Sequence, residues 1–536
     1  MATRVFKFLL FFHRWVGVAL CALFLLWFPS GVGMMYWGMP SVTAADRLAR
    51  APVIDPARVH LSPAEAAERI GLDVAPAQVR LNSFDGRPVY RLGGRGGAGT
   101  RLVYADTGQE QEDAAPQAMR ERTVAAWTGR PVSDARVESV TEPDQWTVGN
   151  QLRNLRPLWK YSYPTGEQVY IGESGEVLMH TTTMSRLQAY VSAVPHWLYF
   201  TPLRKHQPIW IRFATYTAMV GTAGAIIGVT LGLWLYSPTK KKYRFAGAPS
   251  SIPYRGQKRW HTIFGLIFGL ATVSWTLSGS LAFLPFPPPQ RAPQPGIVGN
   301  NTVGGVGGGQ GQGAARGRGA NPNLAASLRG RSRLADFAPM HPRELLSQHA
   351  NLRIKEIELG SFGGRPFYVA TLTDGTSRRF GLDGHVIDGF DHGAIIDIVK
   401  RIAIDPTAVE TRVIDQYDYY YFDRTQQRPL PVILALMHDA DGTRHYVDSR
   451  TGTVAGTYSD RNWARRFFYN GLHSLSFPWL YNHRPLWDIV VITFMIGGTA
   501  LCTTALVLGW RVLGKRLTKL AARPTAALEA REVDIS

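Results

Sequence analysis

The sequence predicts an α-helical membrane protein with α+β outer domains, in which four transmembrane helices form two tandem repeats. The observations behind this prediction are four long apolar runs, a set of motifs that recurs at constant spacing, and alternating strand-like stretches between the runs. The chain has 536 residues, 45% of them hydrophobic, and a mean hydropathy of −0.10. That balance is typical of a protein that combines membrane segments with sizeable soluble domains.

Four runs are long and uncharged enough to cross a bilayer, which requires about 20 consecutive apolar residues. They are Trp15–Met39, Phe213–Tyr236, Thr262–Leu284 and Ile489–Trp510. The first run has features of a cleaved signal peptide. We interpret it as a retained helix, because the third run repeats its motif and a removed segment has no reason to match a retained one.

The motifs recur in register. The first and third runs share a pattern at an offset of 248 residues (261 minus 13), and the second and fourth share another at 277 (473 minus 196). The first pattern is His13, Gly17, Trp27 and Ser30-Gly31, repeated as His261, Gly265, Trp275 and Ser278-Gly279. The second includes His196, His206 and Trp210, repeated as His473, His483 and Trp487. Two halves in the same orientation imply a pseudo-twofold axis along the membrane normal.

The segments between the runs repeat as well. Ser83–Tyr90 returns as Ser361–Tyr368, and each copy follows a helix-like stretch with proline in its first turn. Short alternating runs bounded by turn residues come next, as expected for strands joined by tight turns. Each outer domain is therefore predicted to be a small α+β unit in which a helix packs on an antiparallel sheet.

Basic residues set the expected orientation. Residues 237–259 contain seven Lys and Arg side chains and no acidic ones, and both termini are also basic near the apolar runs. Positive charge favours the cytoplasmic side, so both termini and the middle loop are expected inside. The predicted domains are 1–39 (first transmembrane helix), 40–195 (outer domain 1), 196–236 (interfacial segment and second helix), 237–258 (basic cytoplasmic loop), 259–284 (third helix), 285–333 (linker), 334–472 (outer domain 2), 473–510 (interfacial segment and fourth helix) and 511–536 (cytoplasmic tail).

The net charge of +19 is explained in part by this bias, and the basic loop is interpreted as a topology signal rather than a nucleic-acid site. Residues 285–333 are rich in Pro and then in Gly, a composition that cannot bury a core. We expect a disordered outer linker there. No nucleic-acid partner is expected.

The chemistry is predicted to lie in histidines that repeat in register. Three pairs do so: His13 with His261, His196 with His473, and His206 with His483. Two histidines fill both axial positions of a haem iron that carries electrons without binding substrate. The two cysteines fall inside apolar runs and no Cys-x-x-Cys-His motif is present, so any haem is expected to be b-type. We predict two haems, one near each membrane face.

The three pairs are not equivalent. A histidine at a helix end also serves as an interfacial anchor, and His206 and His483 fit that role because each precedes a proline and a tryptophan. His13, His261, His196 and His473 are the expected iron ligands, although the outer haem could take one ligand from each outer pair. Arg14 and Arg259 flank the first pair and could bind haem propionates, or simply cap the membrane boundary.

The outer domains contain an aromatic cluster, Tyr417, Tyr419, Tyr420, Tyr421 and Phe422, which is interpreted as strand packing with an iron-chelate surface as the alternative. The sequence has no Cys/His metal box, phosphate-binding loop, nicotinamide-binding motif or nucleophile elbow. No catalytic acid or base is predicted.

The histidine motifs resemble a known family. His13-Arg14-Trp15-x-Gly17, its Arg259-Trp260-His261 copy, and His473-Ser474-Leu475 followed by Asn482-His483-Arg484-Pro485 are similar to the PepSY-associated transmembrane, or iron-regulated membrane, proteins. That family includes FoxB-type siderophore reductases. The resemblance implies PepSY-like periplasmic domains, a bacterial inner-membrane location, two haems and reduction of ferric siderophores.

Two functions are weighed on this basis. In the first, a cytoplasmic flavoprotein or quinone supplies electrons, which reduce a ferric siderophore or another iron chelate on the periplasmic side. In the second, the chain is a non-enzymatic PepSY-type membrane module that binds or restrains a periplasmic partner such as a peptidase. The repeated histidines favour the first function and have no role in the second.

Overall fold

The computed structural model describes residues 2–93, 100–111, 114–282, 322–403, 405–423, 428–460 and 463–521. Contacts divide the chain into two compact units. The helical unit comprises Met1–Met39, Arg186–Gly307 and Ala464–Ser536, and the sheet unit comprises Pro40–Ser185 and Gly308–Trp463. Most of the predicted linker and tail, residues 283–321 and 522–536, lie outside the described residues.

The helical unit is built on four long helices. They are α1 (Ala2–Tyr36), α2 (Gln207–Leu235), α3 (Gly256–Leu281) and α4 (Leu486–Ala521). Each is long and apolar enough to cross a membrane. The predicted class, a helical membrane part with α+β domains, is therefore confirmed at this level.

Helix packing in this unit depends on close approach at glycine. Helices α1 and α3 each contact both α2 and α4. Gly221 of α2 and Gly498 of α4, which are equivalent positions of the repeat, lie against Phe24 and Phe28 of α1. A Cβ atom at either glycine would come within 2.2 or 2.3 Å of the phenylalanine ring. Small residues at these crossings let the helix axes come close, as is usual in membrane bundles.

The first helix begins before the apolar run Trp15–Met39. The apolar run is expected to begin after His13, but α1 already begins at Ala2, so His13 lies within the helix. The reason is that residues 5–12 are almost wholly apolar and continue the helix toward the amino terminus. His261 is likewise the sixth residue of α3 rather than its first.

The remaining helices are short. They are Ala44–Arg50, Pro63–Arg69, Gln117–Thr128, Thr183–Val191, Ala193–Trp197, Thr201–Arg204, Pro322–Arg329, Pro342–Gln348, His392–Ile402, Trp463–Arg465, Pro478–Tyr481 and a π-helix, Arg466–His473. Turns of 3-10 helix lie at Pro56–Arg58, Pro76–Gln78, Val132–Asp134, Asn150–Leu155, Leu334–Phe337, Ala350–Leu352 and Pro406–Ala408.

Sixteen strands lie in the described residues. They are β1 (Val79–Phe84), β2 (Arg87–Leu92), β3 (Arg101–Tyr104), β4 (Arg136–Val140), β5 (Leu158–Ser162), β6 (Gln168–Ile171), β7 (Val177–Thr181), β8 (Tyr243–Phe245), β9 (Ala248–Ser250), β10 (Ile354–Phe362), β11 (Arg365–Leu372), β12 (Ser377–Gly381), β13 (Glu410–Ile414), β14 (Val432–Leu436), β15 (Arg444–Asp448) and β16 (Thr453–Tyr458). The pair β8–β9 is a hairpin within the basic loop, where the sequence predicted no strands.

One six-stranded sheet joins the two predicted outer domains. Its order is β12-β11-β10-β1-β2-β3, with β1 antiparallel to β10 and Leu81 opposite Ile357. The sequence predicts a separate sheet for each outer domain, whereas in the structure the first three strands of both domains share one sheet. Helices Pro63–Arg69 and Pro342–Gln348 pack on this sheet through a buried core that includes Ala66 and Leu345.

The later strands of each half form separate four-stranded antiparallel sheets, β4-β5-β6-β7 and β13-β14-β15-β16. Helix Gln117–Thr128 packs on the first of these through Val124, and helix His392–Ile402 packs on the second through Ile395 and Val399. A helix on an antiparallel sheet is the arrangement predicted for each outer domain.

The same turn precedes the second strand of both four-stranded sheets. Asp144 accepts the backbone N–H groups of Trp146 and Thr147, and its other oxygen accepts the Tyr170 hydroxyl at 2.6 Å. Asp418 does the same for residues 420 and 421 and for the Tyr446 hydroxyl at 2.8 Å. The sequence similarity between the halves thus extends to equivalent hydrogen bonds.

The structure corrects the end of the predicted linker. Residues 322–329 form a helix whose Leu324 and Leu328 are buried against the core of the β13–β16 sheet. Composition averaged over the whole Gly-rich segment concealed this stretch, in which two leucines four residues apart share one helix face. The helix ends at Gly330, where a Cβ would lie 2.2 Å from the Gly364 nitrogen.

A buried histidine makes the stability of the sheet unit depend on pH. Burial lowers the pKa of His445 to about 4, against the opposing effect of the Asp439 charge. Between pH 6.5 and 4 the unfolded chain binds a proton that the folded chain excludes, so stability falls as pH falls through this window. The expected loss below pH 4 is up to ~3 kcal/mol. Thermal unfolding of the detergent-solubilised chain should show that stability falls less between pH 7 and pH 5 in His445→Gln than in the unsubstituted protein. An equal fall in both would contradict this account.

Candidate functional site: two histidine pairs

The helical unit brings His13 of α1 and His261 of α3 together. Their ring centroids are 6.1 Å apart and the ring planes are inclined by 41°. The two residues lie on different helices and are far apart in the chain, so only the packing of α1 and α3 against α2 and α4 sets this distance. We call these residues the first histidine pair.

His196 and His473 also meet. Their ring centroids are again 6.1 Å apart, with planes inclined by 60°. His196 lies on the short helix Ala193–Trp197, and His473 is the last residue of the π-helix. Tyr469 stacks on the His473 ring at 5.4 Å with an angle of 11°. These two residues are the second histidine pair.

All four rings have a polar partner at Nδ1. The partners are the Gly224 carbonyl for His13 (2.9 Å), Thr504 Oγ1 for His261 (3.1 Å), the Trp27 carbonyl and Ser30 Oγ for His196 (both 3.3 Å), and Ser278 Oγ for His473 (3.1 Å). The contacts are equivalent between the halves, since Ser30 and Ser278 occupy matching positions of the repeat and contact the two rings of one pair. The backbone of Leu501, the repeat equivalent of Gly224, is a further partner of His261.

These contacts determine which ring nitrogen carries the proton. A carbonyl oxygen can only accept, so His13 and His196 are protonated on Nδ1. The Thr504 hydroxyl donates to the Leu501 carbonyl at 2.7 Å and the Ser278 hydroxyl to the Ser274 carbonyl at 2.6 Å. Both hydroxyl oxygens are then acceptors for a histidine N–H. In each neutral ring the lone pair is therefore on Nε2, the tautomer that a metal-ligating histidine with a hydrogen bond at Nδ1 adopts.

The spacing of each pair fits two imidazoles bound to one metal. With metal–nitrogen bonds of about 2 Å and ring centres roughly 1 Å beyond the nitrogens, the two centroids would be about 6 Å apart. Both pairs have that separation. The residues present therefore fit a haem iron with two axial histidines.

The two pairs lie in separate layers along the bundle. His196 contacts Ser30, which follows His13 on α1, and His473 contacts Ser278, which follows His261 on α3. From position 13 to 30, as from 261 to 278, a rise of about 1.5 Å per residue gives a separation of about 25 Å along the helix axis. Between the layers, Trp275 is buried against Phe28 and Phe494, with centroid distances of 5.9 and 6.3 Å.

The backbone after each histidine of the second pair is held in an unusual conformation. Leu198 and Leu475, each two residues after its histidine, have φ angles of 55° and 48°. The left-handed region costs a non-glycine residue about 1–2 kcal/mol and persists where the surroundings impose it. Here the indole N–H of Trp210 donates to the Trp197 carbonyl at 2.8 Å, and that of Trp487 donates to the Ser474 carbonyl at 3.1 Å.

The other predicted residues are placed differently. His206 and His483 are exposed, and the recorded partner of the His483 ring is the carbonyl of Trp479 at 2.7 Å. In the part of the chain that the structure describes, the rings of His206 and His483 are not in contact with each other. Arg14 is exposed and lies over the Trp15 ring, and Arg259 donates to Ser250 Oγ at 3.0 Å. Both arginines remain within one or two residues of the first pair.

The aromatic cluster of the sheet unit is packed on itself. Tyr421 is buried and stacks on Tyr446 at 4.7 Å. The hydroxyls of Tyr417 and Tyr421 donate to the carbonyls of Arg428 and Pro429, both at 2.9 Å. These contacts agree with the strand-packing interpretation of Tyr417 and Tyr421.

No protein-family model matches the chain, and no curated protein matches it either. The candidate site therefore stands on its own geometry. Within the described residues, no three His, Cys, Asp or Glu side chains lie close enough together to hold a metal ion. A haem needs only two protein ligands for its iron, so the paired histidines are the candidate site.

Sequence reasoning missed the residues that orient the rings. The repeat includes Ser30 and Ser278 but indicates no role for them. The sequence alone does not point to Thr504, Gly224 or Leu501 as partners of the histidine rings. The sequence signal that could have found Gly224 and Leu501 is the internal repeat. These two residues are 277 positions apart, the same offset as His196 and His473. Thr504 has isoleucine at its equivalent position, so the repeat could not reveal it.

Proposed function

We propose that this protein is a membrane electron-transfer protein in which each histidine pair holds one b-type haem. The observation that carries the proposal is the recurrence of the same constellation twice. Each pair has ring centroids 6.1 Å apart and rings that donate from Nδ1. Interfacial anchoring alone would require neither the constant distance nor the shared tautomer.

A haem held by His13 and His261, or by His196 and His473, would supply one-electron transfer. The protein's own residues orient the ligands. The Gly224 carbonyl and Thr504 hydroxyl hold the rings of the first pair, and the two serines hold those of the second. Such partners fix the tautomer and the plane of a ligating histidine.

The two layers support a role across the membrane. Histidine pairs about 25 Å apart on helices of membrane length would serve electron transfer from one face to the other. We propose that both termini are cytoplasmic, in a bacterial inner membrane, and that the sheet unit is periplasmic and contains two PepSY-like repeats. A cytoplasmic flavoprotein or a membrane quinone would supply the electrons.

The proposed acceptor is a ferric siderophore or a related Fe(III) chelate on the periplasmic side. One electron converts Fe(III) to Fe(II), and oxygen chelators hold the lower charge less tightly because the Coulomb attraction falls. This reduction needs no catalytic acid or base, and the absence of a nucleophile or metal box in the sequence agrees with it.

The test is a dithionite-reduced minus oxidised absorption spectrum of the purified protein, with haem quantified as the pyridine complex. We expect b-type bands and about two haems per chain. Anaerobic addition of a ferric hydroxamate chelate to the reduced protein should then oxidise it, with Fe(II) trapped by a colorimetric ligand. Protein without haem after expression with ample haem would overturn the proposal. Protein that contains haem but does not reduce the chelate would overturn only the proposed acceptor.

A further inference from the structure

A groove runs over α4 on the helical unit. It has a volume of about 730 Å³ and is lined by residues from α1, α3 and α4: Pro29, Val32, Gln257, Phe264, Ile496, Thr499, Ala500, Thr503 and Thr504. Ile496 is 62% exposed, so the groove opens away from the interior of the bundle. Because it lies on helices that could span a membrane, the molecules that can reach it are those dissolved in the lipid.

The groove is polar at one end and apolar at the other. Gln257 of α3 lies one helical turn before His261, and Thr503 and Thr504 of α4 also line the groove, with Thr504 in contact with His261. At the other end are Pro29, Val32 and Ile496, which have no side-chain hydrogen-bonding group, and Thr499, whose hydroxyl donates to the Met495 carbonyl at 2.8 Å. A ligand with a small polar head and a long apolar tail would satisfy both ends.

The polar end is connected to the first histidine pair. Thr504 lines the groove and its hydroxyl oxygen lies 3.1 Å from His261 Nδ1. A head group beside Thr504 would therefore be separated from the His261 ring by one side chain. The groove thus adjoins the first histidine pair.

We propose that this groove binds a lipid-soluble quinol, which is the electron donor of the proposed function. The inference rests on that function, because a chain that carries electrons needs a source of them. A quinol hydroxyl can bond to the Gln257 amide or donate to the Thr503 hydroxyl oxygen, and its isoprenoid tail fits the apolar end. A phospholipid acyl chain would use the apolar end but not the polar one.

The reaction balances with the quinol as reductant. Oxidation of one quinol to the quinone releases two electrons and two protons. The two electrons suffice to reduce two molecules of the Fe(III) chelate to Fe(II), and the two protons are released to water. The groove is also long enough for a quinol. Residues 496 to 504 span about 12 Å along α4, which accommodates the ring and the first part of the tail.

The chain provides a matched control for a binding test. Ala500 lies in the middle of the groove, and Ala223 is its repeat equivalent on α2 and is also partly buried. Ala500→Phe would fill the groove, whereas Ala223→Phe places the same ring on the opposite helix.

The probe is decylubiquinone added to the purified full-length chain in lipid nanodiscs that contain no quinone. Binding is measured by quenching of tryptophan fluorescence, and an azido-quinone is photo-cross-linked and mapped by mass spectrometry. We expect saturable binding and labels within residues 257–264 or 496–504. Ala500→Phe should weaken binding at least about tenfold, or ~1.4 kcal/mol, and Ala223→Phe should leave it unchanged.

The outcomes separate this inference from the proposed function. Haem content is measured on the same samples. Protein that contains haem but does not bind the quinone, or that binds it equally with Ala500→Phe, overturns the groove and points to a soluble donor. Protein that binds quinone in the groove but lacks haem keeps the site and overturns the electron-transfer function. Labels scattered over all four helices would indicate lipid-like partitioning and would also overturn the groove.

Discussion

Replacing His13 with alanine is expected to lower the haem content from about two to about one per chain. The same result is expected for His261, because the two rings lie 6.1 Å apart and a haem held by this pair would lose one of its two protein ligands. His196→Ala and His473→Ala should remove the other haem. The double variant His13→Ala/His261→Ala should lose no more than either single variant, whereas His13→Ala/His473→Ala should lose both haems. Pyridine quantification and the reduced-minus-oxidised spectrum measure these changes.

The matched controls are His206→Ala and His483→Ala. These residues also recur in register, but both are exposed and no recorded ring contact joins them. They should keep two haems. Imidazole in the buffer should restore part of the lost absorbance in His13→Ala, since it can replace the missing ring. Unchanged haem content in all four ligand variants would mean that the histidine pairs have only a structural role. Loss of haem in His206→Ala would mean that His206 is a ligand of the second haem.

Gly228→Ala is expected to remove most of the first haem without touching a ligand. Gly228 lies on α2, one turn after Gly224, and its added Cβ would be 2.4 Å from Cε1 and 2.9 Å from Nδ1 of His13. The ring must move away from the Gly224 carbonyl and out of line with His261. Alanine favours a helix over glycine by about 1 kcal/mol, so a weaker helix cannot explain the loss. The second haem should remain, and a redox titration should show one component in place of two.

Gly232→Ala is the control, one turn further along the same helix. Its nearest neighbour would be the flexible end of Leu266 at 3.4 Å, an ordinary contact that the side chain can accommodate. This variant should keep both haems. Two haems in Gly228→Ala, with unshifted midpoint potentials, would show that the His13 ring does not hold the cofactor in the position described above.

Several features of the fold could be read from the sequence because they depend on local composition. A run of about 20 apolar residues is sufficient to predict a spanning helix, and all four predicted runs overlap the long helices α1 to α4. Alternating residues predicted the strands, since side chains on a strand point to opposite faces. The end of the linker is not disordered as predicted, because Leu324 and Leu328 pack into the core of the β13–β16 sheet, a contact between distant parts of the chain.

The shared sheet could not be predicted in this way. Pairing between β1 and β10 joins residues from the two halves of the repeat, and each strand has the same pattern whether its neighbour comes from its own half or the other. The hairpin β8–β9 was likewise concealed by the charge of the loop that contains it.

The sequence by itself determined the four apolar helices, the register of the repeat and the six histidines that recur in it, because these follow from residue type and spacing along the chain. Only the tertiary structure decided which histidines meet. His196 faces His473, while His206 and His483 remain exposed, since the rotation of each helix and its packing direct a ring inward or outward. The partners at Nδ1 come from other helices, so the tautomer of each ring is also a property of the folded bundle.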